Sequence, residues 1–422
     1  MAKSSAARTA LRVVGITLGV IVILGVGVYG PATLVGPLPA ATAVVAELPA
    51  ATPGGITPVV PETGASAIVA DVATPVLASG GITEAVPIAG AAKVITALVV
   101  LAERPLLAGS SGPGIAITAE DAADYTRYVA ESARAVAVSA GESWSQREVM
   151  QAMLLGSSNN HADLLARWAF GSVDAYLDAA GEWLAARGLS SIELVDATGL
   201  DEADVGTASD LARISALAFS EASIAEIMAM DDAALPGGRS TDNLAAYEQD
   251  LGYIGVSRSY TDQAGVCFLF ALVPPGSGEA ADGSDARLYG AFLREPDWDT
   301  LDGDLAALAA SAGGAVTATP VVTAGQRFVT YTAPWGDTAR AVAASTETQQ
   351  LWVSTPVEYT VDAQTISTGS VGESVGTVTV TTSEGTVTSR LELDARIGDP
   401  GPLWRLTHPI PVIAAFIESR TD

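Results

Sequence analysis

Residues Pro87-Ile88-Ala89-Gly90-Ala91-Ala92-Lys93-Val94-Ile95-Thr96-Ala97-Leu98 carry one basic side chain in an otherwise uncharged run. Ala91 to Leu101 is almost wholly apolar, which predicts a helix buried on all sides. The chain holds only two lysines, Lys3 and Lys93, so the body of the protein has a single one, and it falls inside this helix. A buried ammonium is costly unless polar groups meet it. Gly90 stands three residues earlier, on the helix face that Lys93 shares.

Working outward, Leu155-Gly156-Ser157-Ser158-Asn159-Asn160 precedes an amphipathic helix, where polar residues also suit helix capping. Downstream come Ala197-Thr198-Gly199-Leu200 and Ser209-Asp210-Leu211-Ala212-Arg213, then Gly255-Val256-Ser257-Arg258-Ser259-Tyr260-Thr261-Asp262-Gln263-Ala264-Gly265 on a predicted strand. Strands are predicted at 67–70, 75–78, 253–260, 265–273 and 286–294, with a helix over 300–310. Thr377-Val378-Thr379-Val380 and Thr386-Val387-Thr388 alternate with period two about a turn, defining a small all-β module from about Pro320 to Ile397.

In this order the segments resemble the serine D-Ala-D-Ala carboxypeptidases, the low-molecular-mass penicillin-binding proteins of peptidase family S11. The resemblance runs from about Ala65 to Pro409. It implies an α/β (α+β) domain of the penicillin-binding-protein and serine β-lactamase type, followed by a small all-β domain. It also places Gly90 and Lys93 at the family's Ser-x-x-Lys, Ser157 and Asn159 at Ser-x-Asn, and Ser257, Arg258 and Ser259 at Lys-Thr-Gly. In the family the serine attacks the peptide carbonyl and the lysine serves as base. Here position 90 has no side chain and no Ser-x-x-Lys occurs anywhere in the chain. Lys93 is then a cleft amine beside Ser157 and Asn159, an architectural tie, or a snorkelling surface group. In the third motif Arg258 falls one place from the family's cation, where strand alternation turns it to the other face. A one-residue slip would instead put Tyr260 against the ligand's strand edge.

The acidic balance, 48 Asp and Glu against 21 Lys and Arg, argues against nucleic acid as a partner. One cysteine, Cys267, and two histidines exclude a disulfide scaffold and a zinc cage, and no cofactor or metal is expected. Hydrophobic residues make up 49% and mean hydropathy is +0.35. The sequence divides into a basic tail (1–12), a transmembrane helix (13–30) and a Pro/Ala-rich linker read as an extended tether (31–63). A carboxypeptidase-like domain (64–316), a β domain (317–400) and a tail (401–422) follow. Basic residues before the apolar run predict an outward-facing body. The rival is a secreted protein cut at Ala41-Thr42-Ala43.

Other candidates fall away. Gly372-Glu373-Ser374-Val375-Gly376 matches a nucleophile-elbow spacing, but a strand follows where a helix is needed. His161 is read as a helix-surface or rim residue, His408 as a tail residue, Cys267 as a buried strand residue, and 297–304 as a solvated helix start. The expectation is a membrane-anchored carboxypeptidase-like cell-wall protein that is catalytically inactive and binds peptidoglycan stem peptides or scaffolds wall enzymes. The alternatives are an active carboxypeptidase using Ser157, Ser257 or Ser259, and a structural envelope protein whose cleft is filled.

Overall fold

The computed structural model describes residues 3–47, 53–274, 286–353, 355–383 and 385–419. The chain forms two compact units, one from the described residues of 52–319 and 350–355, the other from those of 1–51, 320–349 and 356–422.

The larger unit is built on a five-stranded antiparallel sheet, in the order Tyr253–Thr261, Gly265–Leu272, Leu288–Glu295, Ala65–Val69, Ala78–Gly81. Its central strands are apolar on both faces because both are covered. Val266, Phe268, Phe270 and Leu272 join Leu301, Leu305 and Leu308 of the helix Trp298–Ala312 on one side. Cys267, Leu269 and Ala271 face the larger, helix-rich cluster on the other side. There the helix Ala208–Ser220 crosses the sheet, and Ser215 Oγ donates to the Gly290 carbonyl at 3.0 Å. The expected all-apolar helix is Ala92–Glu103, with residues 92–101 all buried. Trp298–Ala312 begins with Asp297 accepting the Thr300 N–H, so part of the acidic stretch is a helix cap.

The smaller unit is a six-stranded antiparallel sheet, Thr42–Val45, Arg327–Thr332, Thr338–Ala343, Gly385–Leu393, Ser374–Thr382, Glu358–Ala363. Ser374 opens a strand, as its turn reading requires. The N-terminal helix Lys3–Leu24 continues through a π turn, Gly25–Tyr29, into Gly30–Leu34. Its apolar part, Ala10–Leu34, is 25 residues long, enough for about 37 Å and thus for a bilayer.

The stretch after this helix differs from the tether expected of it. Thr42–Val45 is an edge strand, registered Thr42 to Thr332 and Val45 to Val329. Tyr29 donates its hydroxyl to the Leu406 carbonyl at 2.6 Å, and the Arg405 guanidinium reaches the Gly36 carbonyl at 2.7 Å. Free backbone donors and acceptors at a sheet edge outweigh the Pro/Ala composition locally. The second Leu-Pro-Ala-Ala-Thr repeat, at Leu48, lies outside the described residues. The tail forms two helices, Gly401–Thr407 and Pro409–Glu418, with the His408 ring stacked on Trp404.

Candidate functional site

A tight turn, Ala89–Ala91, leads into the Lys93 helix, with Ala89 in the left-handed region at φ 46°. Gly199 packs directly under that turn, where any Cβ would overlap the Ala89 carbonyl oxygen, and its own φ is +79°. Glycine is required there on both counts. The loop around it is stitched by Asp196, whose carboxylate accepts from the N–H groups of Thr198, Gly199 and Asp201 and from the Thr198 hydroxyl. Burial opposes its charge, but these donors keep it below the usual carboxylate range. Asp204 accepts from the N–H groups of Val195 and Asp196, and burial, helped by the Asp196 charge, pushes it up to about 8.

This loop presents the Thr198 carbonyl to Lys93, whose ammonium donates to it at 2.7 Å. Lys93 is 5% exposed, which eliminates snorkelling. Burial lowers its pKa to about 8 against the opposing pull of Asp196. A substantial fraction of the amine is therefore neutral in mildly alkaline solution.

The second segment begins with Ser157 at φ 51°, an uncommon conformation for a side-chain-bearing residue. Asn159 opens the helix Asn159–Phe170, and its Oδ1 is buried without a hydrogen-bond partner among the described residues. Two expectations change here. Ser158 stands at the N-cap without making a capping bond; its hydroxyl accepts from the Val136 N–H at 3.0 Å and donates to Asn160 Oδ1 at 2.7 Å. His161 is fully buried, not at a rim, with its ring 5.0 Å from Trp144 and its Nδ1 2.8 Å from Ser158 Oγ. Burial drives its pKa down to about 3, so it is neutral.

The third segment is the edge strand Tyr253–Thr261, with a bulge between Gly255 and Ser257 in its pairing with Gly265–Leu272. Ser259 leans onto the Lys93 helix, and its hydroxyl accepts the Gly90 N–H at 3.1 Å. The Arg258 guanidinium lies over the Tyr247 ring at 4.6 Å and the Trp298 ring at 5.4 Å. Tyr260 is exposed and donates to Asp262.

Gly90, Lys93, Ser157, Asn159 and Ser259 line one open cleft of about 650 Å³, together with Arg134, Thr198, Tyr260 and Trp298. Ser257 and Arg258 line a small void behind it, of about 10 Å³, that Gly90, Lys93 and Ser157 also border. The cleft thus has a buried cation, hydroxyl and amide groups and an aromatic rim. It has no side chain at the head of the Lys93 helix. Sequence alone does not mark Asp196, Asp204 or Arg134. The one local signal for the first two is a pair of acids flanking Thr198-Gly199-Leu200.

A fold of helices on both faces of an antiparallel sheet, with these three segments meeting at a cleft, defines a penicillin-binding-protein-like domain. The chain belongs to the D-alanyl-D-alanine carboxypeptidase family, peptidase S11, whose sequence profile matches residues 57–273. A penicillin-binding protein homologue from Mycobacterium tuberculosis is similar at 25% identity and TM-score 0.50, over 62% of this chain and 95% of that one. Penicillin-binding protein 6B from Escherichia coli shares the fold at 13% identity and TM-score 0.56, over 81% and 98%. A peptidoglycan synthesis regulatory factor from Streptococcus pneumoniae does so at 20% and 0.54, over 80% and 99%. No curated protein sequence matches the chain.

Proposed function

We propose that the protein is a catalytically silent carboxypeptidase homologue that holds the C-terminal end of a peptidoglycan stem peptide in the Lys93 cleft. The observation that carries this reading is Gly90: the position from which a nucleophile would act has no side chain, while the cleft in front of it stays open at about 650 Å³. Losing an activated serine costs on the order of 10⁶ in kcat, about 8 kcal/mol, which polar contacts do not recover. The open cleft speaks against a purely structural protein with a filled site. Lys93 and Arg134 supply positive charge for a terminal carboxylate, in place of the family's third-motif lysine.

Family S11 enzymes are extracytoplasmic, and the N-terminal apolar helix fits an anchor or a signal sequence. The anchor reading is supported by the strand Thr42–Val45 and the Tyr29 and Arg405 bonds, because cleavage at Ala41-Thr42-Ala43 would cut through a paired strand. Intact mass of protein taken from membranes tests it; loss of the first forty or so residues would overturn it.

Two measurements test the cleft. An acetylated Lys-D-Ala-D-Ala peptide should raise the melting temperature at millimolar concentration, and an unchanged melt would remove ligand binding. Prolonged exposure to excess penicillin should leave the intact mass unchanged while an active S11 enzyme is acylated. A stable adduct on Ser157, Ser257 or Ser259 would instead establish an enzyme with a non-standard nucleophile.

A further inference from the structure

The serine missing from the head of the Lys93 helix has a counterpart on the facing strand. A Cβ built on Gly90 would lie 3.0 Å from Ser259 Cβ, 3.2 Å from Ser259 Oγ and 3.7 Å from Lys93 Nζ. The first two separations are tighter than ordinary van der Waals contact. The Ser259 side chain would therefore have to give by a few tenths of an ångström before position 90 could carry a side chain. Its hydroxyl also takes the Gly90 N–H as a hydrogen-bond donor. That N–H sits at the N-terminal end of a helix and points its hydrogen at the cleft wall, where it would otherwise serve a ligand oxygen. In ungapped register Ser259 falls where the family carries the glycine of Lys-Thr-Gly, so one side chain is absent and another present across the same gap.

Building on the silent-homologue reading, we infer that Ser259 closes the reactive end of this cleft: its hydroxyl stands in for a ligand carbonyl oxygen on the Gly90 N–H. Gly90 and Ser259 form a compensating pair, and replacing Gly90 alone does not reopen the site. Peptides bind through the remaining groups, Lys93, Arg134, Asn159 and the Tyr260 and Trp298 rim. The carbonyl of a bound peptide lacks the donor that would polarise it unless Ser259 turns away.

The test compares the native chain with Gly90→Ser, Ser259→Gly and the double variant, each checked for an unchanged unfolding transition, using a fluorescent penicillin and the acetylated Lys-D-Ala-D-Ala peptide. The double variant should be acylated at position 90 at least tenfold faster than Gly90→Ser alone. Equal rates for the two would overturn the inference. If neither is acylated, affinity decides: Ser259→Gly should bind the peptide about tenfold more tightly than the native chain, and an unchanged affinity would overturn the inference. Amide exchange gives a third readout, since Gly90 should exchange faster in Ser259→Gly, and unchanged protection counts against it. Acylation of the native chain would defeat the silent-homologue reading itself. A native chain that stays inert while Gly90→Ser matches the double variant would defeat only the role given to Ser259.

Discussion

The two walls of the Lys93 cleft are built on different terms. On one side, the loop from Val195 to Asp204 is fixed by backbone N–H groups converging on two carboxylates, and Gly199 is locked by contact with the Ala89 carbonyl. On the other, the strand Tyr253–Thr261 is fixed by its ladder to Gly265–Leu272, which asks nothing of the side chains at 257, 258 and 259. A wall whose geometry depends on particular side chains cannot vary them without losing the fold. A wall held by backbone pairing can exchange the side chains at 257, 258 and 259, and with them its chemistry, at little cost.

Replacing Gly199 should give the largest effect. Gly199→Ala adds a Cβ where none fits, in a left-handed conformation, and should destabilise the larger unit by more than about 3 kcal/mol. A urea midpoint within error of the native value would break the contrast between the walls.

Next comes pH. Asp204 is pushed up to about 8 in the folded protein, so between its ordinary 3.8 and 8 the folded state holds the extra proton and this group's contribution to stability falls as pH rises, against the rise that buried His161 contributes between about 3 and 6.5. Lys93 is lowered from 10.5 to about 8, so between 8 and 10.5 the unfolded state binds more protons and stability climbs again. The two contributions should meet in a minimum near pH 8, the Asp204 limb being the deeper because its shift is the larger. Asp204→Asn should make the acid limb shallower, with Glu295, also pushed up to about 8 by burial, keeping part of it, and Lys93→Met should do the same to the alkaline one. Limbs unchanged in both variants would show that neither group titrates where its burial places it.

The smallest effect belongs to the exchangeable wall. Arg258→Ala removes a guanidinium from two aromatic rings and should cost about 1 kcal/mol or less. A loss as large as that of Gly199→Ala would mean this wall is as demanding as the other, and the comparison would fail.

Much of the larger unit could be read from sequence because its signals are local. The apolar run around Lys93, the strand composition at 253–260 and the order of the three polar segments each report on themselves. What stayed hidden depends on partners far along the chain. Nothing next to His161 announces that Trp144 and Ser158 will enclose it. Ser259 reads as one more strand serine until the fold brings it to Gly90, 169 residues away. Composition marks residues 31–63 as a tether, because the ladder that captures Thr42–Val45 belongs to residues 329–332.

That captured strand also bears on how the chain reaches its final form. Its partner and the helices that meet Tyr29 and Gly36 are made nearly three hundred residues or more later. A chain delivered from its N-terminus therefore offers an unpaired strand until Arg327–Thr332 arrives, whereas the larger unit's sheet is complete by Glu295. Assembly should run from the inserted unit outward, with closure of the smaller sheet as the late, slow step that long-range pairing imposes. A nascent chain stalled before residue 327 would keep its strand edge open to passing chaperones.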